Sequence, residues 1–221
     1  MRATALSAAP FAPAQDFPSR MTLSGTPVRA AADKAAIAAD AALMGRVVAG
    51  DPAAHRAVMD RHLPGLVAFA WRLAGDRATA EDVAQDAMLK LWRQAPRWKP
   101  KAQIGTWLRR VAYNRCIDLH RRARPGEDVA NLDLEDPASG PERNLLAQEV
   151  SAIVRRALAA LPDRQRAAIA MVHFDGMSNG ETAAVLEVSV EAVESLLARG
   201  RRTLRQRLTA LKPDLLEEFV S

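Results

Sequence analysis

The sequence predicts an all-α chain of two small helical domains, on the strength of three observations. No segment alternates apolar and polar residues with period two, so no strand is signalled. From Asp33 onward apolar residues recur instead at three- and four-residue spacing, the mark of amphipathic helices. Gly, Pro and Asp-Gly steps cut this pattern into segments of helical length, and an acidic, proline-bearing stretch divides the chain.

Taken in order, residues 1–32 are rich in Ala, Pro, Ser and Thr without a sustained period and are expected to form a disordered extension, with Met21 a candidate alternative start. Ile37, Leu43, Val47 and Val48 fit a first helix, ended by Gly50-Asp51-Pro52. Ala53 to Leu73 is a second, with Val58, Leu66, Phe69 and Leu73 apolar and Pro64 expected to kink or interrupt it. Gly75-Asp76 stops it. Thr79 to Trp92 is a third helix, with Thr79 as the expected cap and Glu81 and Asp82 in the first turn, where the helix dipole favours negative charge. Pro96 and Pro100 bracket a loop, and a fourth helix is expected from Thr106 to about Arg122.

Pro125 to Pro141 reads as a flexible linker carrying Glu127, Asp128, Asp133, Glu135 and Asp136. Helical periodicity returns in Glu142 to Ala160 and in Asp163 to Phe174, which Asp175-Gly176 ends. Ser178 with Glu181 three residues on is a capping box opening a short helix. A tight turn at Glu187-Val188 follows, and Ser189 is positioned to cap a longer last helix. The expected organisation is an extension over 1–32, a four-helix domain over 33–123, a linker over 124–141, a helix-turn-helix domain over 142–212 and a tail over 213–221.

Composition excludes several function classes. The chain has 221 residues, 49% of them hydrophobic, so it can bury real cores. Cys116 is its only cysteine, which rules out an intrachain disulfide and fits a reducing, cytoplasmic setting. His55, His62, His120 and His173 lack ligand spacing, and neither a Gly-rich phosphate loop nor a nucleophile elbow is present. No metal, cofactor, small-molecule substrate or enzymatic activity is therefore expected. No apolar run reaches the roughly 20 residues of a membrane span.

Charge points to nucleic acid. The net charge is only +5, but Lys90 to Arg124 holds eleven Lys or Arg and one acid, Asp118, interleaved with Trp92, Trp98, Trp107 and Tyr113. Cations suit phosphates, and rings suit unstacked bases. A basic helix packing its Trp residues inward is the bland alternative. On the fourth helix, Leu108, Val111, Ala112, Cys116 and Leu119 share a core-facing side, and Arg110, Tyr113, Asn114, Ile117 and Arg121 share the opposite one. On the last helix, Val193, Leu196, Leu197, Gly200, Leu204, Leu208 and Leu211 form one face, while Glu191, Ser195, Ala198, Arg199, Arg202 and Arg205 form the other. Five arginines and no acid lie between Arg199 and Arg207. A short helix, a turn and a longer helix with a basic outer face match the helix-turn-helix, whose second helix enters the major groove.

The stretch Thr106-Trp107-Leu108-Arg109-Arg110-Val111-Ala112-Tyr113-Asn114-Arg115-Cys116-Ile117-Asp118 resembles the TWLxRIAxNxxID motif of bacterial RNA polymerase sigma factors of the extracytoplasmic-function (ECF) group. Ala80 to Asp86, with Leu89 and Trp92, is similar to that family's AEDxxQExFLxxW segment. Leu161-Pro162 with Arg166, then Ser178 to Glu181, then Val193 to Arg201 resemble its second domain. The likeness spans about Ala35 to Leu211.

The resemblance implies a region 2-like domain, a region 4-like domain and three contact surfaces. Glu81, Asp82, Gln85, Asp86, Leu89 and Trp92 would dock on the clamp helices of core RNA polymerase. Trp98, Lys101, Arg110, Tyr113, Asn114, Ile117 and Arg121 would melt the minus-ten region of promoter DNA and capture a flipped base. Glu191, Ser195, Ala198, Arg199, Arg202 and Arg205 would read the minus-thirty-five element. An anti-sigma factor, often membrane-bound, would control such a protein and could hold it at the inner membrane.

Several positions depart from the family pattern. Glu187 stands where Gly is common in the turn, Glu194 and Leu196 replace residues that are often basic, and Gln103-Ile104-Gly105 lacks the usual loop aromatic. The alternative reading is a stand-alone helix-turn-helix regulator, which would leave the Glu81 to Trp92 helix without a role. Cys116, on the core side of its helix, is expected to be a buried structural thiol. The tail, with Leu215, Leu216, Phe219 and Val220, is either a cap on the last domain or a short partner-binding helix.

Overall fold

The computed structural model describes residues 27–123 and 145–211, and all regular structure among them is helical. The expected extension up to residue 26, the acidic linker and the tail lie outside the described residues.

The first helix, α1 (Pro27–Val48), begins within the segment assigned to the extension, so residues 27–32 are helical. Next come α2 (Pro52–Ala74), α3 (Arg77–Gln94), a single 3₁₀ turn (Ala95–Arg97) and α4 (Ile104–Ala123). At the start of α2, Asp51 accepts the N–H groups of Ala53 and Ala54 at 2.8 and 3.3 Å, and Gly75 closes the helix in the left-handed region at φ 78°. The expected interruption at Pro64 does not occur. Its ring removes one donor, but Pro64 and Asp60, four residues before it, are both exposed, so water can take the place of the missing partner. The cap of α3 is Asp76, not Thr79: the Asp76 carboxylate accepts the Thr79 N–H at 2.7 Å. Two residues before the expected start, α4 opens at Ile104, because a side chain from α1 supplies its cap. Asp40 Oδ2 accepts the Ile104 N–H at 2.7 Å.

Central to the first unit is α2, which packs on α1, α3 and α4. Val58, Leu66 and Phe69 of α2, Val83 and Leu91 of α3, and Ile104, Leu108 and Ala112 of α4 are all at most 1% exposed. Burying each large side chain is worth roughly 1.5–3 kcal/mol.

The second unit comprises α5 (Leu145–Ala159), α6 (Asp163–Ile169), α7 (Asn179–Leu186) and α8 (Val190–Leu211). What the sequence presents as one helix to Phe174 changes at Ala170 into a π-helical turn, Ala170–Phe174. Ser178 and Glu181 form the expected capping box, and the Ser189 hydroxyl accepts the Ala192 N–H at 3.2 Å. Between them Glu187 adopts φ 55°, the only positive value among the described non-glycine residues. A side chain there carries a cost of roughly 1–2 kcal/mol, so the departure from Gly noted in the sequence is a real strain. Gly200 is needed for close packing, since a Cβ at that position would meet Ile169 Cγ1 of α6 at 3.0 Å.

Candidate nucleic-acid and polymerase interfaces

Burial along α8 separates its two faces as the spacing predicts. Val193, Leu196 and Leu197 are at most 9% exposed and seat the helix on α6 and α7. Glu191, Ser195, Ala198, Arg199, Arg202 and Arg205 are all exposed, and they form one continuous polar strip. Arg199 Nε donates to the Ser195 carbonyl at 3.3 Å, which lays its guanidinium along the strip. Hydrogen bonds from its own backbone N–H and from Ser189 hold the Glu191 carboxyl below its ordinary value, so it stays ionised at the positive end of the helix. This face can meet phosphates and base edges without rearrangement.

On α3, Asp82, Gln85 and Leu89 are exposed, and Glu81, Asp86 and Trp92 are half-buried. Leu89 is 51% exposed, an unusual position for a large apolar side chain, and it is flanked by the acidic positions. Two of the six residues already have local partners. Glu81 pairs with Arg77 at 2.9 Å, and Asp86 with Arg115 of α4 at 3.3 Å. Trp92 turns toward the body, its ring 5.0 Å from that of His55. Together, α3 presents an acidic, partly apolar face suited to a basic helical partner.

The third group divides. Arg110, Asn114 and Arg121 are exposed on α4, Ile117 is half-buried beside them, and Lys101 is exposed in the preceding loop. Trp98 packs edge-on against Trp107 at 5.9 Å and is half-buried, so it braces the loop rather than standing free. Tyr113 departs from expectation: it is only 8% exposed. The helix-turn-helix unit covers it, with Arg164 hydrogen-bonded to its hydroxyl, and burial pushes its pKa above the ordinary value. Helical periodicity could not anticipate this, because the covering residues belong to the other unit.

Contacts between the two units also involve residues that the sequence assigned to no contact surface, Arg72, Arg109, Arg166 and Asp175. Arg72 of α2 and Arg109 of α4 both reach Asp175, at 3.0 and 2.6 Å. Arg110 pairs with Glu187. Arg166, 1% exposed, donates to the carbonyls of Leu73, Ala159 and Leu161 at 2.7, 2.8 and 3.0 Å, tying the end of α2 to the second unit. Asp175 reads in sequence only as half of an Asp-Gly stop. Cys116 is 1% exposed, as expected, and burial pushes its thiol up to about 12. Among the described residues no group of His, Cys, Asp and Glu could hold a metal ion, and no helix is long and apolar enough to cross a membrane.

A four-helix unit with an acidic, partly apolar face, together with a helix-turn-helix unit bearing a basic one, defines the class of a DNA-binding transcription factor. Residues 58–125 match the Sigma-70 region 2 model, and residues 151–204 match Sigma-70, region 4. The chain is 37% identical over 175 residues to the ECF RNA polymerase sigma factor SigM of Mycobacterium tuberculosis, covering 76% of this chain and 84% of that one. It is 29% identical over 185 residues to the ECF RNA polymerase sigma-E factor of Escherichia coli, covering 78% and 95%. Among solved structures it is similar to CnrH in complex with the cytosolic domain of CnrY, with TM-score 0.61, 27% identity and coverage of 78% of this chain and 98% of that one. The fold is also that of the sigma factor RpoE from Bartonella quintana, at TM-score 0.57, 23% identity and coverage of 70% and 96%. The chain belongs to the ECF sigma factors of bacterial RNA polymerase.

Proposed function

We propose that this chain directs core RNA polymerase to promoters through the three surfaces described above. The α3 face, with Asp82, Gln85 and Leu89 foremost, docks on the polymerase. The α8 face, from Glu191 to Arg205, reads the minus-thirty-five element. Asn114, with Arg110, Tyr113, Ile117 and Arg121, holds an unstacked minus-ten base, its amide offering a donor and an acceptor to the base edge. The protein acts in the cytoplasm, needs no cofactor and catalyses no reaction of its own.

The observation that carries this reading is the sign segregation on α8. Arg199, Arg201, Arg202, Arg205 and Arg207 are all exposed, with no acid among them, while the other face is core. Family membership supports the polymerase role, and a stand-alone regulator would have no use for the exposed Leu89 and its acidic neighbours. Control by an anti-sigma partner belongs to the same proposal, because the solved relative CnrH is seen with the cytosolic domain of CnrY.

Transcription in vitro tests it. Purified chain plus core polymerase should initiate at promoters of its own genome, and the Asn114→Ala, Arg199→Ala double variant should not. Gel shifts with the chain alone should show weak binding. Tight promoter binding without core enzyme, or initiation undisturbed in the double variant, would refute the assignment.

A further inference from the structure

Part of the strip assigned to minus-ten DNA is engaged by the second unit in this structure. Arg110 is paired with Glu187 of the helix-turn-helix turn, and Tyr113 is covered by Arg164. Asn114, Ile117 and Arg121 line one wall of a groove of about 520 Å³ whose other wall is Arg164, Leu186 and Glu187. A splayed strand would have to enter between these walls to reach Asn114. By contrast, the α8 face from Glu191 to Arg205 points outward and is exposed throughout.

Beside a continuous apolar core and the Arg166 bond to the Leu73 carbonyl, the junction of the two units carries an ionic cluster. The Asp175 side chain is 5% exposed and sits between Arg72 and Arg109, themselves 17% and 19% exposed. The Arg72 guanidinium also lies 4.7 Å above the Phe174 ring, so the π-helical turn that ends at Phe174 delivers both ring and carboxylate to the first unit. His120 Nδ1 of α4 lies 3.3 Å from Asp163 Oδ1 at the same junction. Closed, each charge depends on its partner. Opened, all three ions regain water, which offsets much of the loss, whereas removing one partner strands the others in a poorly solvated site.

We propose that Asp175, clasped by Arg72 and Arg109, is a latch that holds the helix-turn-helix unit against the minus-ten strip of the free chain, covering Tyr113 and pairing Arg110 while leaving the minus-thirty-five face open. With the latch closed, Tyr113 is unavailable to an unstacked base and Arg110 is already paired, so a chain without polymerase is weakened for strand capture but not for upstream duplex contact. This consequence rests on the sigma-factor reading; the closure itself does not.

Tyr113 is the only tyrosine in the chain, which makes it a reporter of closure. The test treats the full chain with tetranitromethane, follows nitration of Tyr113 by peptide mass, and measures the radius of gyration by small-angle X-ray scattering. Asp175→Asn keeps the side-chain shape and removes the charge. It should raise the nitration rate at least about tenfold, given the cost of unpairing buried ions, and should enlarge the radius of gyration with helical circular dichroism unchanged. Arg72→Gln, altered from the other side of the latch, should do the same and serves if Asp175→Asn misfolds. The latch is overturned if wild-type Tyr113 reacts as fast as in denaturant, or if both folded variants keep the wild-type rate and radius. Should the variants open while no form of the chain supports promoter-dependent transcription, the latch stands and the sigma-factor reading falls.

Discussion

The carboxylate of Asp40 on α1 accepts the backbone N–H of Ile104 at 2.7 Å, so the first residue of α4 is capped from a helix 64 positions earlier in the chain. Ile104 is fully buried, and no water could serve that N–H. The helix carrying Asn114 is thereby fixed at its start by α1.

Replacing Asp40 should therefore cost more than a surface charge would. Asp40→Ala leaves the Ile104 N–H unsatisfied and is expected to destabilise by about 1–3 kcal/mol. Asp40→Asn keeps an acceptor and should lose less. The Arg61 contact at 3.4 Å adds little, since that arginine is 54% exposed. Urea unfolding measures both; equal midpoints for the alanine variant and wild type would exclude the capping role.

The strained turn gives a second test. Glu187 sits at φ 55°, so Glu187→Gly should be more stable than Glu187→Ala by roughly 1 kcal/mol. Both variants lose the pair with Arg110, so the comparison isolates the backbone. Thermal midpoints in the opposite order would show that the turn carries no left-handed strain.

Acid sensitivity follows from His62. Burial, assisted by Arg61 and Arg109 and opposed by Asp40, lowers its pKa from 6.5 to about 4. Between those values the unfolded chain takes up a proton that the folded chain refuses, so stability is present above 6.5 and is lost as pH falls toward 4. His62→Gln cannot be protonated and should flatten the stability profile across this window. A profile as steep as wild type would assign the acid sensitivity elsewhere.

Phosphate and base contacts on α8 should separate by salt. With polymerase bound, Arg199→Ala should lower the slope of log affinity against log salt by about one if it meets a phosphate. Ser195→Ala should leave the slope alone and change preference among bases at the upstream element. Filter binding over a salt series distinguishes them, and identical slopes for wild type and Arg199→Ala would remove Arg199 from the backbone contacts.

Most of the fold was legible because its determinants are local. Three- and four-residue spacing marked the core faces of α2, α4 and α8, and Ser178 with Glu181 marked the start of α7. The exposed strip on α8 followed directly, since every group that sets its exposure lies on α8 or packs beneath it. The α3 residues were singled out through the family resemblance, and the pairing of Asp86 with Arg115 was not legible, because a motif shows which residues recur and not what each one meets.

By itself, then, the sequence determined the helices, their buried sides, the location of positive charge and the family. Only the tertiary structure decided that Asp40 starts α4, that Asp175 is shared by Arg72 and Arg109, and that Tyr113 lies covered. The Asp40 and Asp175 contacts join positions 64 to 103 residues apart. A periodic pattern records which face of a helix avoids water. It does not record which distant surface, protein or DNA, takes the place of that water.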